Sequence, residues 1–250
     1  MTSKRCSFDV MLLALPALAL VFSGTGCARK SMAAAAPALA FGSAIVESSG
    51  GKQIGAAGTA LSQPVVVQVN DEQNNAVTGA NVSFSGPAGV SFDPPNGVTD
   101  SSGQFSTVVT VGGMAGRYQI VASTNTKAQK PVTVRIEEIA LDYQRRLGQI
   151  LDDKYCSRCH NPESTPERVS NYDNLEVKPH AFTEGETLNK LSDADLTAII
   201  SHGGPALNKS PLMPPYGYTL SKTEIQALIA YIRMVSDPPY QAPGMIYAQK

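Results

Sequence analysis

Between residues 44 and 136, apolar side chains recur at alternate positions in short runs that are separated by polar turns. The runs with this pattern span residues 65–69, 82–84, 105–111, 118–122 and 132–136. Alternation of this kind buries one face of a β-strand, and the Gly, Asn, Asp and Pro residues between the runs supply the backbone angles of tight turns. The segment is therefore predicted to fold as a β-sandwich of two packed antiparallel sheets.

Beyond this segment the spacing of apolar positions becomes helical. Apolar side chains lie three and four positions apart in residues 137–155, 192–202 and 221–235. Ser192 and Ser221 stand at the starts of the last two segments, and an acidic residue follows each serine by three positions, as at a capped helix N-terminus. An all-α domain is predicted over residues 137–238, with a C-terminal tail over 239–250.

The N-terminal segment combines a basic start with a mostly apolar run over residues 10–22. That run is too short to span a bilayer, so it predicts a signal peptide over residues 1–26. The small residues before Cys27 resemble the lipobox of bacterial lipoproteins. The resemblance implies that Cys27 carries lipid and holds the mature chain at a membrane through a flexible linker over 27–43. An ordinary cleaved signal with a spare cysteine is the alternative.

The overall composition narrows the class of function. The chain has 250 residues, a formal net charge of -1 and 16% charged residues, and it lacks a basic tract, so no nucleic-acid partner is expected. The four cysteines, Cys6, Cys27, Cys156 and Cys159, have a spacing that suits no pair of long-range disulfides. Each cysteine is therefore expected to have its own role.

The strongest chemical signal is the motif Cys156-Ser157-Arg158-Cys159-His160. Two thiols three positions apart can each form a thioether with one vinyl group on the same edge of a porphyrin, and the adjacent histidine then lies under the iron. The motif predicts one covalently attached haem c, with His160 as a ligand of the iron.

A zinc site and a redox-active thiol pair are the alternatives for this motif. Zinc would take His180 or His202 as a fourth ligand, but no second cysteine or histidine pair with the usual spacing follows. A redox pair would follow a strand, whereas the sequence before Cys156 has helical spacing.

Met213 is the predicted second iron ligand. It lies in the proline-stiffened loop Leu212-Met213-Pro214-Pro215, which can cross the far face of a porphyrin. A thioether sulfur favours ferrous iron and raises the reduction potential. The competing ligands are Met234, Met245, His180 and His202.

Two family resemblances agree with these patterns. Residues 67–71 and 77–82 are similar to the opening half, and residues 99–105 and 115–122 to the closing half, of a bacterial Ig-like domain of the invasin and intimin type. This resemblance implies an Ig-like sandwich over residues 44–136.

The last third of the chain resembles class I cytochrome c. Gly148, eight positions before Cys156, matches the glycine at which that family's first and last helices cross, and Leu228 and Tyr231 match its Leu-x-x-aromatic element. Asp152 departs from the family, which often has an aromatic residue there. The resemblance implies a small all-α domain that wraps one haem and leaves one haem edge exposed.

The function expected from the sequence is one-electron transfer, without enzymatic activity of its own, between extracytoplasmic protein redox partners. The chain would be a bacterial membrane lipoprotein, either as an isolated carrier or as the cytochrome subunit of an oxidoreductase complex, and the sandwich would act as a spacer. The alternatives are an adhesion or binding lipoprotein in which the Ig-like domain is the functional module, and a haem sensor with an open iron position.

Overall fold

The computed structural model describes residues 40–165 and 168–244. The predictions for the signal peptide, for Cys27, for most of the linker and for Met245 lie outside the described residues. Within them, a β-sandwich region is followed by a helical region, as predicted. The helices of this described part are all too short or too polar to cross a bilayer.

Nine strands form the sandwich within the described residues. They are β1 (Ala44–Ser49), β2 (Ile54–Ala56), β3 (Val65–Asn70), β4 (Asn81–Ser85), β5 (Ser91–Asp93), β6 (Asn96–Val98), β7 (Gln104–Thr110), β8 (Gly116–Asn125) and β9 (Pro131–Leu141). One sheet has the strand order β1-β3-β7-β5 and the other β2-β9-β8-β4-β6. The two sheets enclose one apolar core, to which alternate side chains of the long strands contribute.

All five predicted strands are present, as β3, β4, β7, β8 and β9. Four further strands, β1, β2, β5 and β6, were not predicted. Three of these have only three residues, and β1 buries a single side chain, Ile45. Strands this short or this exposed carry no alternating pattern that a sequence could display.

The predicted start of the helical domain at residue 137 is wrong, because β9 continues to Leu141. Ile136, Glu138 and Ala140 face the sandwich core or its edge, while Ile139 and Leu141 on the other face pack against the helical region. When a strand ends with apolar side chains on both faces, its apolar positions are no longer strictly alternate and resemble those of a helix. The end of β9 was therefore predicted to be helical.

The helical region begins immediately after β9. Its helices are α1 (Tyr143–Leu151), α2 (Ser157–His160), α3 (Gly185–Leu188), α4 (Asp193–His202) and α5 (Lys222–Val235). Asp142 caps α1 by accepting a hydrogen bond from the Arg145 amide. The two predicted caps are also confirmed, since Ser192 and Ser221 both form capping boxes, with Asp195 and Glu224 respectively.

Helices α1 and α5 cross at Gly148, as the cytochrome resemblance implied. A Cβ atom at Gly148 would lie 2.2 Å from the carbonyl oxygen of Ala227 and 2.6 Å from Cβ of Tyr231. Only a glycine allows backbones to approach this closely, which explains its presence inside a helix at a cost of about 1 kcal/mol relative to alanine. The crossing holds the start of the cysteine motif against the core of the helical region.

Candidate haem site

The cysteine motif lies where α1 ends. A π-helical turn, Asp152–Cys156, follows α1, and α2 then carries Cys159 and His160. Residues three positions apart on a helix share a face, so both thiols are neighbours on one side of this turn. Both are free and half-buried. Burial raises the pKa of Cys156 to about 12, so this thiol is neutral in the polypeptide alone.

His160 is oriented by a backbone carbonyl. Its Nδ1 atom lies 2.7 Å from the carbonyl oxygen of His180. A carbonyl can only accept, so Nδ1 donates its proton and Nε2 keeps the lone pair that a metal requires. Burial also lowers the pKa of His160, which favours the neutral ligand form. The Phe182 ring lies 5.0 Å from the imidazole, centroid to centroid, and limits its rotation.

His180, a competing ligand in the sequence analysis, therefore supports His160 through its backbone. Its own side chain is exposed, and Nδ1 lies 2.9 Å from each carboxylate oxygen of Glu184. The hydrogen bond from His180 lowers the pKa of Glu184. The loop that carries the supporting carbonyl is thus itself held by a side-chain contact.

Met213 packs against the same apolar cluster as Cys156. It is half-buried, and Tyr155 and Tyr216 border the cluster beside it. The loop is attached to the cysteine motif, because the Tyr216 hydroxyl donates to the carbonyl of Tyr155 at 2.9 Å. The Gly204 amide donates to the carbonyl of Met213 at 3.1 Å. Met213 is thus fixed near the motif, and its role as an iron ligand stays a prediction.

The other competing ligands have different surroundings. Met234 lies in the last turn of α5 and packs against the cluster that includes Ile139 and Leu141. His202 is exposed in the last turn of α4. No group of three or more His, Cys, Asp or Glu side chains among the described residues is arranged to hold a metal ion.

A pocket of about 250 Å³ adjoins the imidazole of His160. Its lining includes Asp152, Phe182, Tyr231 and Val235. Asp152 is buried, and its Oδ1 atom has no hydrogen-bond partner among the described residues. Burial, together with the nearby Asp153, raises the pKa of Asp152 to about 7. At position 152, where class I cytochromes c often have an aromatic residue, this chain therefore has a carboxyl group beside the pocket. The aromatic ring that lines the pocket next to it belongs to Tyr231.

The donor set fits a covalently bound haem. A c-type haem uses two neighbouring thiols, an imidazole and, in many cytochromes, a thioether. In this chain the two thiols are unpaired, the hydrogen bond at His160 Nδ1 leaves the lone pair on Nε2, and Met213 packs against the same apolar cluster as Cys156. Sequence reasoning missed the roles of the His180 carbonyl, Phe182 and Tyr216. No local pattern signals them, because each contacts the site from a distant segment.

Comparison with protein families gives two matches. Residues 51–137 match the family described as bacterial Ig-like domain (group 1), and residues 144–232 match the family described as cytochrome C oxidase, cbb3-type, subunit III. These matches identify a bacterial Ig-like domain followed by a cytochrome c domain, in the predicted order. The second domain implies a haem cofactor, protein redox partners and an electron-carrying role.

Solved structures similar to the chain include structures of intimin and invasin. The D00-D0 domain of intimin has 15% sequence identity and a TM-score of 0.32, over 42% of this chain and 48% of that chain. Invasin, described as a bacterial integrin-binding protein, has 16% identity and a TM-score of 0.29, over 38% of this chain and 19% of that chain. The chain thus spans about half or less of the length of these structures. The search of curated proteins gave no match.

Proposed function

We propose that this chain is a membrane-tethered, monohaem c-type cytochrome that carries single electrons between extracytoplasmic protein partners. One observation supports this most strongly. The His160 imidazole donates from Nδ1 to the His180 carbonyl, which leaves Nε2 for iron, while Cys156 and Cys159 lie on the same helical turn. This combination serves haem attachment and has no evident use in a purely structural domain.

Each side chain has a defined task in this proposal. Cys156 and Cys159 would hold the porphyrin through thioethers, and His160 and Met213 would be the protein ligands of the iron. When bound, haem supplies a one-electron couple between ferric and ferrous iron. A thioether ligand favours the ferrous state and raises the reduction potential. The Tyr216 hydrogen bond to the Tyr155 carbonyl would keep Met213 in place in both oxidation states.

The covalent attachment is tested in a host that is competent for cytochrome c assembly. The purified protein should gain the mass of one haem and, after dithionite reduction, show the narrow α band of low-spin haem c. A Cys156→Ala, Cys159→Ala double variant should lose both signals. Arg158→Ala, an exposed change inside the motif, should keep them. Wild-type protein without added haem mass would overturn the proposal.

The second ligand is tested separately. Met213→Ala should lower the reduction potential strongly and allow the ferrous protein to bind carbon monoxide, because one iron position becomes open. Met234→Ala, which removes a methionine packed in a different cluster, should change neither property. Carbon monoxide binding by the unmodified ferrous protein at neutral pH would instead indicate a haem sensor.

The membrane tether at Cys27 is a separate part of the proposal. A signal peptide over residues 1–26 would direct export, and acyl chains on Cys27 would contribute about 0.8 kcal/mol for each buried CH₂ group. Labelled palmitate should be incorporated into the wild-type chain and not into Cys27→Ser. The variant should also move from the membrane fraction to the soluble extracytoplasmic fraction, and equal labelling of both proteins would exclude the anchor.

A further inference from the structure

The Ig-like domain and the cytochrome domain share an apolar cluster. Ile139 and Leu141, on the outer face of β9, pack with Tyr231 and Val235 of α5. Ile139 and Leu141 are 7% and 1% exposed, and Tyr231 and Val235 are 6% and 4% exposed. Tyr231 and Val235 also line the pocket beside His160. The two domains are therefore packed against each other on the side that carries His160.

Arg117, at the start of β8, crosses from the sandwich to the end of α5. Its side chain is 18% exposed and forms an ion pair with Glu137 on the neighbouring strand. The same guanidinium donates to the carbonyl oxygens of Met234 and Ser236. The last carbonyls of a helix have no partner within the helix, so Arg117 supplies hydrogen bonds and positive charge where α5 needs them.

The chain just beyond α5 is attached in turn to the loop before α3. The Asp237 amide donates to the carbonyl of Thr183 at 2.8 Å, and the Gly185 amide donates back to the carbonyl of Asp237 at 2.9 Å. The contact is close, because a Cβ atom at Gly185 would lie 2.3 Å from the carbonyl oxygen of Pro238. Segments 183–185 and 236–238 are therefore joined by two hydrogen bonds and a close backbone contact.

The same loop begins with His180, whose carbonyl orients His160. A continuous series of hydrogen bonds and short chain segments thus runs from Arg117, through Ser236 and Asp237, to Thr183 and the His180 carbonyl. Partners that hold the outer nitrogen of a metal-binding histidine set its orientation and its basicity.

We propose that Arg117 of the Ig-like domain is a positioning residue for His160, so that the sandwich supports the axial ligand of the haem and is not a detachable spacer. The inference rests on the proposed haem function. Loss of Arg117 would release segment 236–238 and the loop before α3, which weakens the hydrogen bond from His160 Nδ1. The imidazole then becomes a poorer donor to ferric iron, and the reduction potential rises.

The test compares reduction potentials of haem-loaded, full-length proteins. Arg117→Ala should have a higher potential than wild type, and Arg117→Lys should restore part of the difference, because an ammonium group can still donate to carbonyl oxygens. Arg135→Ala, an exposed arginine on the adjacent strand β9, is the matched control and should have the wild-type potential. Equal potentials for Arg117→Ala and wild type would overturn the inference.

Hydrogen exchange of the unmodified protein provides a second measurement if Arg117→Ala does not fold. The amides of Gly185 and Asp237 should exchange through the same opening as the β8 and β9 amides, with the same free energy. Exchange of the two amides through a separate opening of lower free energy would count against the inference. If the wild-type protein carries no covalent haem, the proposed function is wrong. If haem is fully loaded and the reduction potential of Arg117→Ala equals that of wild type, only the inferred role of Arg117 is wrong.

Discussion

The two domains differ in how they use their interiors. The Ig-like core is closed by its own side chains, and Val65, Val67, Val69 and Ile120 are all fully buried. The cytochrome core is bordered by half-buried reactive groups, with Cys156 and Met213 among them. The sandwich thus reaches a complete apolar core from strand alternation alone. In the helical domain, part of the core is instead bordered by groups that the proposed haem would use.

Both domains nevertheless contain one buried carboxyl group with an unpaired oxygen among the described residues, Glu138 in the sandwich and Asp152 in the helical domain. Glu138 has no chemical task in the proposed function, while Asp152 adjoins the pocket at His160. The two carboxyl groups are both buried, and only one of them lies beside the candidate site. Burial alone therefore does not identify a functional residue. Four substitutions test this contrast between the domains.

Gly148→Ala should have the largest effect. The added methyl group would collide with the Ala227 carbonyl, which is backbone and cannot move aside, so we expect a loss of about 3 kcal/mol in the free energy of unfolding. Gly116→Ala in the sandwich is the control, because none of the described atoms lies within 4 Å of its Cβ position. Denaturant unfolding measures both, and equal losses would show that the helix crossing is not close.

Glu138→Gln should change the pH dependence of stability. Burial raises the pKa of Glu138 to about 8, above its ordinary value of 4.5. The folded state then holds a proton that the unfolded state has released, so stability is lost as pH rises from about 4.5 to 8. The variant should remove this loss and be about 2 kcal/mol more stable at pH 9. This is less than the full effect because the amide NH₂ would replace Oε1, which has no hydrogen-bond partner among the described residues.

Exposed Glu72→Gln is the control for this experiment and should leave the pH profile unchanged. Unfolding free energies at several pH values between 4 and 9 measure the effect. A wild-type profile that is flat over this range would contradict the raised pKa of Glu138.

Asp152→Asn should act with the same sign in the cytochrome domain and with a smaller effect. The pKa of Asp152 is raised to about 7, so its contribution to stability falls as pH rises from about 4 to 7. The variant should be about 1 kcal/mol more stable at pH 8, since a neutral amide avoids burial of charge. The urea midpoints of unfolding of the variant and of wild type are compared at pH 5 and at pH 8. An equal increase in stability at both pH values would indicate a packing effect instead of a titration effect.

Ser221→Ala should have an effect no larger than that of Asp152→Asn. Ser221 accepts from the Glu224 amide at the start of α5, and loss of such a cap costs about 1 kcal/mol. Thr223→Ala changes an exposed side chain of the same helix and is the control. Thermal unfolding distinguishes them, and equal melting temperatures for the two variants would show that the cap does not stabilise α5.

Features that are local along the chain could be predicted from the residues alone. The cysteine motif occupies five consecutive residues, the two serine caps act over three positions, and the long strands display their alternation directly. Gly148 could be assigned because its spacing from Cys156 matched a known family. Features of this kind depend on neighbours in the chain, and the sequence records those neighbours completely.

Contacts that join distant segments could not be predicted and became evident from the fold. The carbonyl that orients His160 comes from 20 positions away, and the one that Arg117 reaches at Ser236 from 119 positions away. Every residue has a carbonyl group, so no residue type marks the one that is used. The inward direction of Glu138 likewise followed from strand pairing, because a side chain's direction depends on which strands lie beside it.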